Sequence, residues 1–557
     1  MKKTIKILAV ACIVFGFSSC MTEIEPQGST VTKEQAANAN GAYDNFVSSI
    51  TSSLCGQFPY GGKTDRANDF GYPSFFLERD IMGQDIFQNH QNWFDAWYTS
   101  QNLGPTYANS QLPWTVYFKW IKSCNTVISL AGDEPDATKV NGAGIAYAMR
   151  ALYYLDMARM FAPETYAKNK EAETIPIITD KTSAAETTNN PRATNQKMYE
   201  FILSDLDKAE KLIANYKRQD VYTPNLSVVY GLKARAYLTM EDWANARKYA
   251  KMAQEGYTLM NKDSYTSRNE GFNKPTTSWM LGCRYKSDDP GIILNDGDTS
   301  WGSQMILEID PKKSGCGYGA NYGQFWLIDR HLYETIPATD FRRNCFVDFA
   351  IDKLSTKELK LDALKDYTDY PDWVYNTGYN TSKDYVGVGG LPLKFRAAGG
   401  LAGRENQMIG WVVAVPMMRV EEMYLIEAEA AGMMNEGEGI ALLTAFAKTR
   451  DASYTYGNHN EAYGNTGTKA FQNECWWQRR VEFWGEGLAT FDIKRLNKGI
   501  IRSYPNSNHI NNYRWNTPAT PQWMTLCIVQ TETNYNKACT NNPDPVGPTG
   551  NSPEHQW

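Results

Sequence analysis

The carboxylates near the C-terminal end of the chain are the side chains whose type and spacing best suit acid–base chemistry. Glu482, Glu486 and Asp492 lie close together, and glycoside hydrolases use two carboxylates around the bond that they cleave. Arg479 and Arg480 stand directly before them. Because ion-pair networks commonly hold helices together, we interpret the cluster as structural ion pairs and predict no catalytic residue.

Glu427 is a further carboxylate that the sequence places in an apolar setting. It falls on the same face of a helical pattern as Val420 and Met423. A carboxylate buried in this way needs a partner that compensates its loss of hydration. We predict that Arg479 or Arg480 is that partner.

Motifs for other chemistries are missing from the sequence. It contains no HExxH, GxSxG or HRD-type motif, and its five histidines leave little material for a metal site. We therefore predict no metal and no cofactor. Asn295, Asp296 and Asp298 could offer oxygens to calcium, but the spaced glutamate of an EF-hand is lacking, so we interpret this segment as a plain turn.

The composition excludes one class of partner and raises a question about aromatic residues. The 557 residues carry a formal net charge of −6, so the chain lacks the basic excess that binding to nucleic-acid phosphates requires. Its 16 Trp, 34 Tyr and 22 Phe make up 13% of the residues. So many rings require either an unusually aromatic core or a surface that uses ring faces.

The first residues indicate export and lipid attachment. A basic start at residues 1–6 precedes an apolar run at residues 7–17, which is too short to span a bilayer and has the length of a signal-peptide core. The sequence FSSC then ends at Cys20 and resembles the lipobox of bacterial lipoproteins, in which the cysteine is acylated and becomes the new N-terminus. We predict a signal peptide at 1–19 and a flexible tether at 20–32.

Amphipathic, Ala-rich helices dominate the N-terminal part of the mature chain, residues 33–256. Apolar side chains recur at a spacing of three to four residues in segments 114–131, 143–161, 196–213 and 227–256. The last segment resembles a tetratricopeptide helix pair with its turn at Glu241 and Asp242. A similar pair recurs at 420–434 and 439–450, within a C-terminal part of residues 411–557.

Residues 257–410 form a part with a different composition. They are rich in Gly, Asn, Asp, Ser and aromatic residues, as in the segment 315–323, which reads GCGYGANYG. Such segments cannot form regular helices, and turns that contain glycine dominate here. We predict a helical scaffold that presents long aromatic loops, and loops on a rigid scaffold are common binding sites.

Several segments together resemble one known family. The matching segments are ERD at 78–80 with Asp85, Trp93 and Trp97, WTVY at 114–117, AMRALYY at 148–154, RVEEMYLIEAEA at 419–430, RRVEFWGEG at 479–487 and FDIKR at 491–495. With the lipobox, they make the sequence similar to the SusD/RagB family of outer-membrane nutrient-binding lipoproteins over essentially the whole mature chain.

This resemblance implies both a fold and a function. The implied fold is mainly α, with four tetratricopeptide-like units and an irregular, loop-rich subdomain. The implied function is to bind an oligosaccharide or polysaccharide, without catalysis, at the cell surface. The protein would be anchored by lipid in the outer membrane, facing the exterior. It would act as a lid that delivers the glycan to a SusC-type TonB-dependent transporter.

The resemblance also directs the choice of site residues. Sugar rings have apolar faces and hydroxyl edges, so a site needs aromatic platforms beside planar hydrogen-bonding groups. In the family these groups come from the region of residues 80–97 and from the middle loops. The candidate ligand-binding residues are Asp80, Asp85, Trp93, Trp301, Tyr318, Tyr322, Trp326, Trp373, Tyr375 and Arg396.

For some of these candidates the sequence also allows a structural role. Trp93 fits core packing as well as ligand contact, because Trp is often mostly buried, and Arg396 could instead pair with a nearby acid. For Trp301 and Tyr318 we favour a ligand role, because burial is hard to arrange in Gly-rich loops. Trp97 is assigned to the core.

Two other functions stay open from the sequence. One is a peptide-binding member of the same family, which would rely on backbone hydrogen bonds more than on ring platforms. The other is a surface glycoside hydrolase, which would release reducing ends from a polysaccharide.

Overall fold

The computed structural model describes residues 41–59, 66–89, 93–294, 297–314, 317–379 and 385–557. The predicted signal peptide, Cys20 and the tether lie outside these residues, as do Asn295 and Asp296 of the candidate calcium turn. Within the described ranges, no helix is both long enough and apolar enough to cross a membrane. The fold is mainly α, as the sequence predicts.

The N-terminal part contains the longest helices of the described chain. They are α1 (Ala42–Ser52), α2 (Tyr72–Ile81), α3 (Asp95–Thr99), α4 (Ala108–Ala131), α5 (Val140–Phe161), α6 (Asn195–Leu212), α7 (Leu226–Met240) and α8 (Trp243–Ala253). Strand β1 (Ile86–Gln88) lies between α2 and α3, and a 3₁₀ helix spans Glu186–Asn189.

The helices in this part begin where the sequence offers capping side chains. The hydroxyl of Thr194 accepts the Lys197 N–H at the start of α6, and Asn225 and Asp242 cap α7 and α8 in the same way. The predicted pair of helices with a turn at Glu241 and Asp242 is therefore confirmed. Helix α4 begins six residues before the predicted start, because it continues through Pro113, a residue that more often marks a helix start.

The middle part consists of short elements separated by turns. The helices are α9 (Lys262–Tyr265), α10 (Pro290–Ile293), α11 (Trp301–Met305), α12 (Arg330–Thr335), α13 (Lys357–Leu364), α14 (Pro371–Gly378), α15 (Gly400–Glu405) and α16 (Gln407–Gly410). The strands are β2 (Trp279–Arg284) and β3 (Trp326–Ile328), and 3₁₀ helices span Phe341–Cys345 and Phe349–Lys353.

The C-terminal part returns to longer helices. The elements are β4 (Ala414–Arg419), α17 (Val420–Met434), α18 (Glu436–Lys448), α19 (Ala470–Glu482), α20 (Ala489–Arg495), a 3₁₀ helix at Gln522–Met524, and α21 (Gln530–Tyr535). The predicted pair α17–α18 is confirmed, and α17 also packs against α8.

Two small antiparallel sheets join segments that are far apart in the sequence. Strand β1 pairs with β3, with Ile86 opposite Ile328, and β2 pairs with β4, with Trp279 opposite Arg419. Each sheet therefore links the loop-rich middle part to one of the two helical parts. The boundaries at residues 256 and 410 mark changes in composition, and the sheets run across them.

A buried ion network surrounds Glu482 at the end of α19. Its carboxylate accepts hydrogen bonds from Arg419 at 3.0 Å, from Arg342 at 3.2 Å and from Arg450 at 3.1 Å. Burial by itself would raise the pKa of Glu482, but the three guanidinium groups outweigh it and hold the pKa well below the usual range. Arg419 is the last residue of β4, Arg342 lies in a 3₁₀ helix of the middle part, and Arg450 follows α18. The network therefore joins these three segments to the end of α19.

Helices α17 and α18 approach so closely that glycine is required at their contact. A Cβ atom added to Gly439 would lie 2.2 Å from the Gly432 Cα, closer than any normal contact. Gly437, also in α18, has open space, because its nearest neighbour would be the Asn435 Oδ1 at 3.6 Å.

This contrast gives a matched pair of substitutions. Gly439→Ala is expected to lower the free energy of unfolding by about 1–3 kcal/mol, because the helices must move apart. Gly437→Ala is expected to leave it unchanged or to raise it by up to about 1 kcal/mol. Thermal unfolding followed by circular dichroism at one scan rate checks both, and equal midpoints for the two variants would contradict the close contact.

Candidate functional site

The structure places half of the predicted ligand-binding residues in the interior. Asp80 of α2 is buried, and its two oxygens accept the backbone N–H groups of Gly487 and Ala489 at 2.9 and 3.0 Å. Burial raises the pKa of Asp80 to about 7, against the opposing effect of these N–H donors. The prediction of a ligand role is wrong for Asp80, because both oxygens are used to hold the segment that leads into α20.

Asp85 likewise serves the scaffold. Its carboxylate is buried and forms a bidentate ion pair with Arg480, with the Nη2–Oδ1 distance at 2.6 Å and the Nε–Oδ2 distance at 3.1 Å. Its backbone carbonyl accepts the indole N–H of Trp484 at 3.0 Å. The ligand role predicted for Asp85 is therefore wrong, and the residue instead connects β1 to α19.

Arg396 takes the alternative role that the sequence left open. It is buried and donates to Glu308 at 2.6 Å and to the Tyr367 carbonyl at 3.1 Å. Arg404 completes the ion pair on Glu308 at 2.9 Å. Burial would raise the pKa of Glu308, but the two guanidinium groups lower it below its ordinary value. Arg396 therefore makes a structural ion pair and offers nothing to a ligand.

Trp301 and Trp326 are buried, and each packs against another aromatic ring. Trp301 is 1% exposed and meets Phe395 edge to face, with ring centroids 5.0 Å apart. Trp326, in β3, is also buried. Glycines of this part of the chain make room for a third buried tryptophan, Trp411: a Cβ at Gly302 would lie 2.2 Å from its ring. Our assumption that Gly-rich loops disfavour buried rings was wrong, since here the glycines permit close packing around a tryptophan.

Trp93, Tyr318 and Tyr322 come together at the surface, and we call these three residues the aromatic patch. The Trp93 indole N–H donates to the Tyr318 hydroxyl at 2.7 Å, and the rings of Tyr318 and Tyr322 lie 5.3 Å apart. Trp93 and Tyr318 are half-buried, while Tyr322 is 45% exposed. These three predicted residues therefore lie together, and each is at least partly accessible to solvent.

Hydrogen bonds to Ser303 of α11 and to Asp298 hold the loop that contains Tyr318 in place. The backbone N–H of Tyr318 donates to the Ser303 hydroxyl at 3.0 Å, and that of Gly319 donates to the Ser303 carbonyl at 2.8 Å. Asp298 accepts the Gly317 N–H at 3.0 Å. The one described member of the candidate calcium turn thus positions the loop, and no group of three or more acidic, His or Cys residues in the described chain could hold a metal ion.

Helix α14 contributes the two remaining candidates, on opposite faces. Trp373 is half-buried and stacks on Tyr370, with ring centroids 4.4 Å apart and an interplanar angle of 4°. Thr377, one turn later, donates to the Ala320 carbonyl at 3.1 Å, which places this face of α14 against the loop of the aromatic patch. Tyr375 points to the other face and stacks on Tyr379 at 4.4 Å.

Tyr370 and Tyr379 are aromatic residues that the sequence reasoning missed. Each stacks on the ring of a predicted residue, and each lies three or four residues from that residue in the sequence. That spacing on a short helix is the signal that could have revealed both.

The carboxylates of the C-terminal cluster are all engaged in ion pairs. Asp492 accepts from Arg479 at 2.7 Å, and Glu486 accepts from Arg419 and Lys394. The prediction of structural ion pairs is confirmed.

The partner predicted for Glu427 is wrong. Its carboxylate accepts from the Gln254 side chain at 2.7 Å, while Arg479 and Arg480 are bound elsewhere. Gln254 directly follows α8, and α17 packs against that helix. The local sequence does not show this contact.

Comparison with known proteins places this architecture in a family. Residues 73–238 match a family model described as starch-binding, associating with the outer membrane, and residues 358–544 match the SusD family model. Together the two matches cover more than half of the chain. The chain belongs to the SusD/RagB family. This is a family of carbohydrate-binding proteins and not of enzymes.

Solved structures of SusD-like proteins share the fold. A SusD-like carbohydrate-binding protein from Bacteroides vulgatus matches with a TM-score of 0.68 at 21% identity, covering 90% of this chain and 97% of that one. A SusD superfamily protein from Bacteroides thetaiotaomicron matches with a TM-score of 0.63 at 17% identity, over 92% and 100% of the two chains.

A further match is surface glycan-binding protein A from Bacteroides thetaiotaomicron, in complex with laminarihexaose. Its TM-score is 0.60 at 19% identity, over 90% and 98% of the two chains. A search of curated proteins finds no match. At these identities the SusD-like neighbours establish the fold of this chain.

The corrected role of Asp85 can be tested by removing its charge. Asp85→Asn is expected to lower the free energy of unfolding by about 3 kcal/mol, because the buried Arg480 loses its carboxylate. The exposed Asp288→Asn removes the same charge at the surface and should have little effect. A melting temperature unchanged by Asp85→Asn would show that the ion pair does not stabilise the fold.

Proposed function

We propose that this SusD/RagB protein binds an oligosaccharide or polysaccharide at the aromatic patch. The observation that carries the proposal is the cluster of Trp93, Tyr318 and Tyr322, three half-buried or exposed rings held by hydrogen bonds to one another and to the scaffold. Sugars stack their apolar faces on such rings, and a preformed platform loses little conformational entropy on binding.

The neighbouring stacked pair extends the same platform. Trp373 lies on the face of α14 that contacts the patch loop through Thr377 and Ala320, and Tyr370 backs its ring. We propose Trp373 as a further contact for a chain of several sugar units. Tyr375, on the opposite face, stays a prediction that this arrangement does not connect to the patch.

We further propose that the protein is attached to the outer membrane through an acylated Cys20 and faces the cell exterior. From there it would serve as a lid on a SusC-type TonB-dependent transporter and deliver the bound glycan to it. The support for this step is the lipobox sequence at residues 17–20 and membership of a family described as associating with the outer membrane.

Calorimetry with a panel of neutral oligosaccharides, laminarihexaose among them, tests the binding site. For any sugar that binds, Trp93→Ala and Tyr322→Ala should each weaken the affinity by about tenfold or more, equivalent to about 1.4 kcal/mol, because a stacking surface is lost. Tyr107→Ala removes an exposed ring that is not part of the patch and should leave the affinity unchanged.

Three results would contradict the proposed binding. If no sugar binds and a peptide library does, the protein is a peptide-binding member of the family. If reducing ends accumulate when the purified protein is incubated with polysaccharides, it is a hydrolase. If a sugar binds equally to the wild type and both patch variants, the site lies elsewhere.

The anchor has its own test. Cys20→Ala should shift the protein from the membrane fraction to the soluble periplasmic fraction, because no thioether-linked lipid can form. Cys55→Ala, which alters a buried cysteine of the folded part, should leave the protein in the membrane fraction. Continued membrane attachment of Cys20→Ala would disprove the lipid anchor.

A further inference from the structure

A second open cavity lies apart from the aromatic patch. It has a volume of about 520 Å³ and is lined in part by Phe87 of β1, Tyr385 and the loop that contains Asn506. This volume is in the range of sites for small ligands. Arg330, Lys353 and Arg514 also line it, and we call the cavity with these three residues the cationic cleft.

The acidic residue within the cationic cleft is fully engaged by the protein. Asp352 accepts the hydroxyls of Tyr379 and Tyr385 at 2.9 and 3.1 Å, and the backbone N–H groups of Val388 and Gly389 at 2.8 and 2.9 Å. Four donors spread its negative charge into the wall of the cleft. Asp352 therefore forms no ion pair with the three cations in the described structure.

The cations retain capacity to bind an anion. Arg514 uses its Nε to donate to the His509 carbonyl at 2.7 Å, and its two Nη atoms make no hydrogen bond within the described residues. Lys353 is exposed and forms no ion pair there either. Arg330 donates one hydrogen bond from its Nε to the exposed Glu334, at 2.8 Å.

A second carboxylate, below the lining of the cleft, is buried and hydrogen-bonded within the interior. Asp329, which precedes α12, is buried and accepts the Leu332 N–H at 2.9 Å and the hydroxyl of Tyr504. It also lies 3.4 Å from His509 Nε2. The lining of the cleft carries three cationic side chains against one carboxylate, Asp352, in a chain with a net charge of −6, and Arg514 presents the planar donor pair that suits carboxylate and sulfate groups.

One residue connects the cleft to the aromatic patch. The Asn89 side chain donates to the carbonyls of Gly323 and Tyr385, each at 3.3 Å, and accepts the Tyr385 N–H at 3.1 Å. Gly323 follows Tyr322 of the patch, and Tyr385 lines the cleft. The Asn89 side chain therefore hydrogen-bonds both to the backbone next to the patch and to the backbone of a residue that lines the cleft.

We infer that the cationic cleft binds an anionic substituent, a carboxylate or a sulfate, of a saccharide whose sugar rings lie on the aromatic patch. This inference rests on the proposed function and specifies it: the preferred glycan is acidic. Arg514 and Lys353 bind the anion, and the three cationic side chains of the lining outnumber its one carboxylate, Asp352.

The test compares three ligands by calorimetry on the full chain in detergent. A neutral oligosaccharide, a uronic-acid oligosaccharide and a sulfated oligosaccharide are titrated at low and at physiological salt. At least one acidic ligand should bind about tenfold or more tightly than the neutral one at low salt, and the advantage should shrink at higher salt, because ions screen the charges. Whichever acidic ligand binds identifies the anionic group.

Variants locate the charge recognition. The double variant Arg514→Gln and Lys353→Gln should weaken binding of the acidic ligand by about tenfold or more and leave neutral binding unchanged. The double variant Lys197→Gln and Lys211→Gln, which removes two exposed charges of α6, is the matched control and should change neither affinity.

The outcomes separate this inference from the proposed function. If the acidic ligands bind no more tightly than the neutral one, or if the double variant binds them as well as the wild type, the cleft inference is overturned while sugar binding at the patch stands. If Trp93→Ala abolishes neutral binding and the double variant abolishes only the acidic preference, both are supported. If no saccharide of any charge binds, the proposed function fails and the cleft inference fails with it.

Discussion

The buried pairing of arginines with carboxylates around Glu482 is the interaction on which the rest of the structure depends. Glu482 lies at the end of α19, and Arg419, Arg342 and Arg450 reach it from three separate segments. A buried charge without its partner is strongly destabilising, so each of these segments must occupy its place for the others to be tolerated. The network therefore connects the loop-rich middle of the chain to the C-terminal helices at a single point.

The same principle explains why most acidic candidates proved structural. Asp85 with Arg480 and Glu308 with Arg396 repeat the pattern away from Glu482. In each pair, charges that could have served recognition are used to hold irregular segments that have no regular hydrogen-bonding pattern of their own. A fold with long loops and short strands requires such pairs, because helix packing alone cannot fix its loops.

The side chains available for ligand recognition are those that the scaffold does not use in buried ion pairs. Trp93 and Tyr318 lie where the loop after β1 meets the loop before β3, and their hydrogen bond joins the two. Asn89 hydrogen-bonds to Gly323, next to the patch, and to Tyr385, which lines the cationic cleft. Aromatic rings near a cleft lined by cationic side chains are an arrangement suited to a ligand that has both apolar faces and charged edges.

The sequence by itself determined the helices, the family and the identity of three patch residues. Periodic apolar spacing and capping residues are local, so α6, α7, α8 and the pair α17–α18 could be predicted. The tertiary structure alone decided which polar and aromatic side chains are buried. Burial depends on which distant segments come together: Trp411 fills the space left by the Gly-rich loops, and Arg480 takes the carboxylate of Asp85, 395 residues away. Local patterns carry no information about such contacts, and this is the physical reason that the site could be predicted only in part.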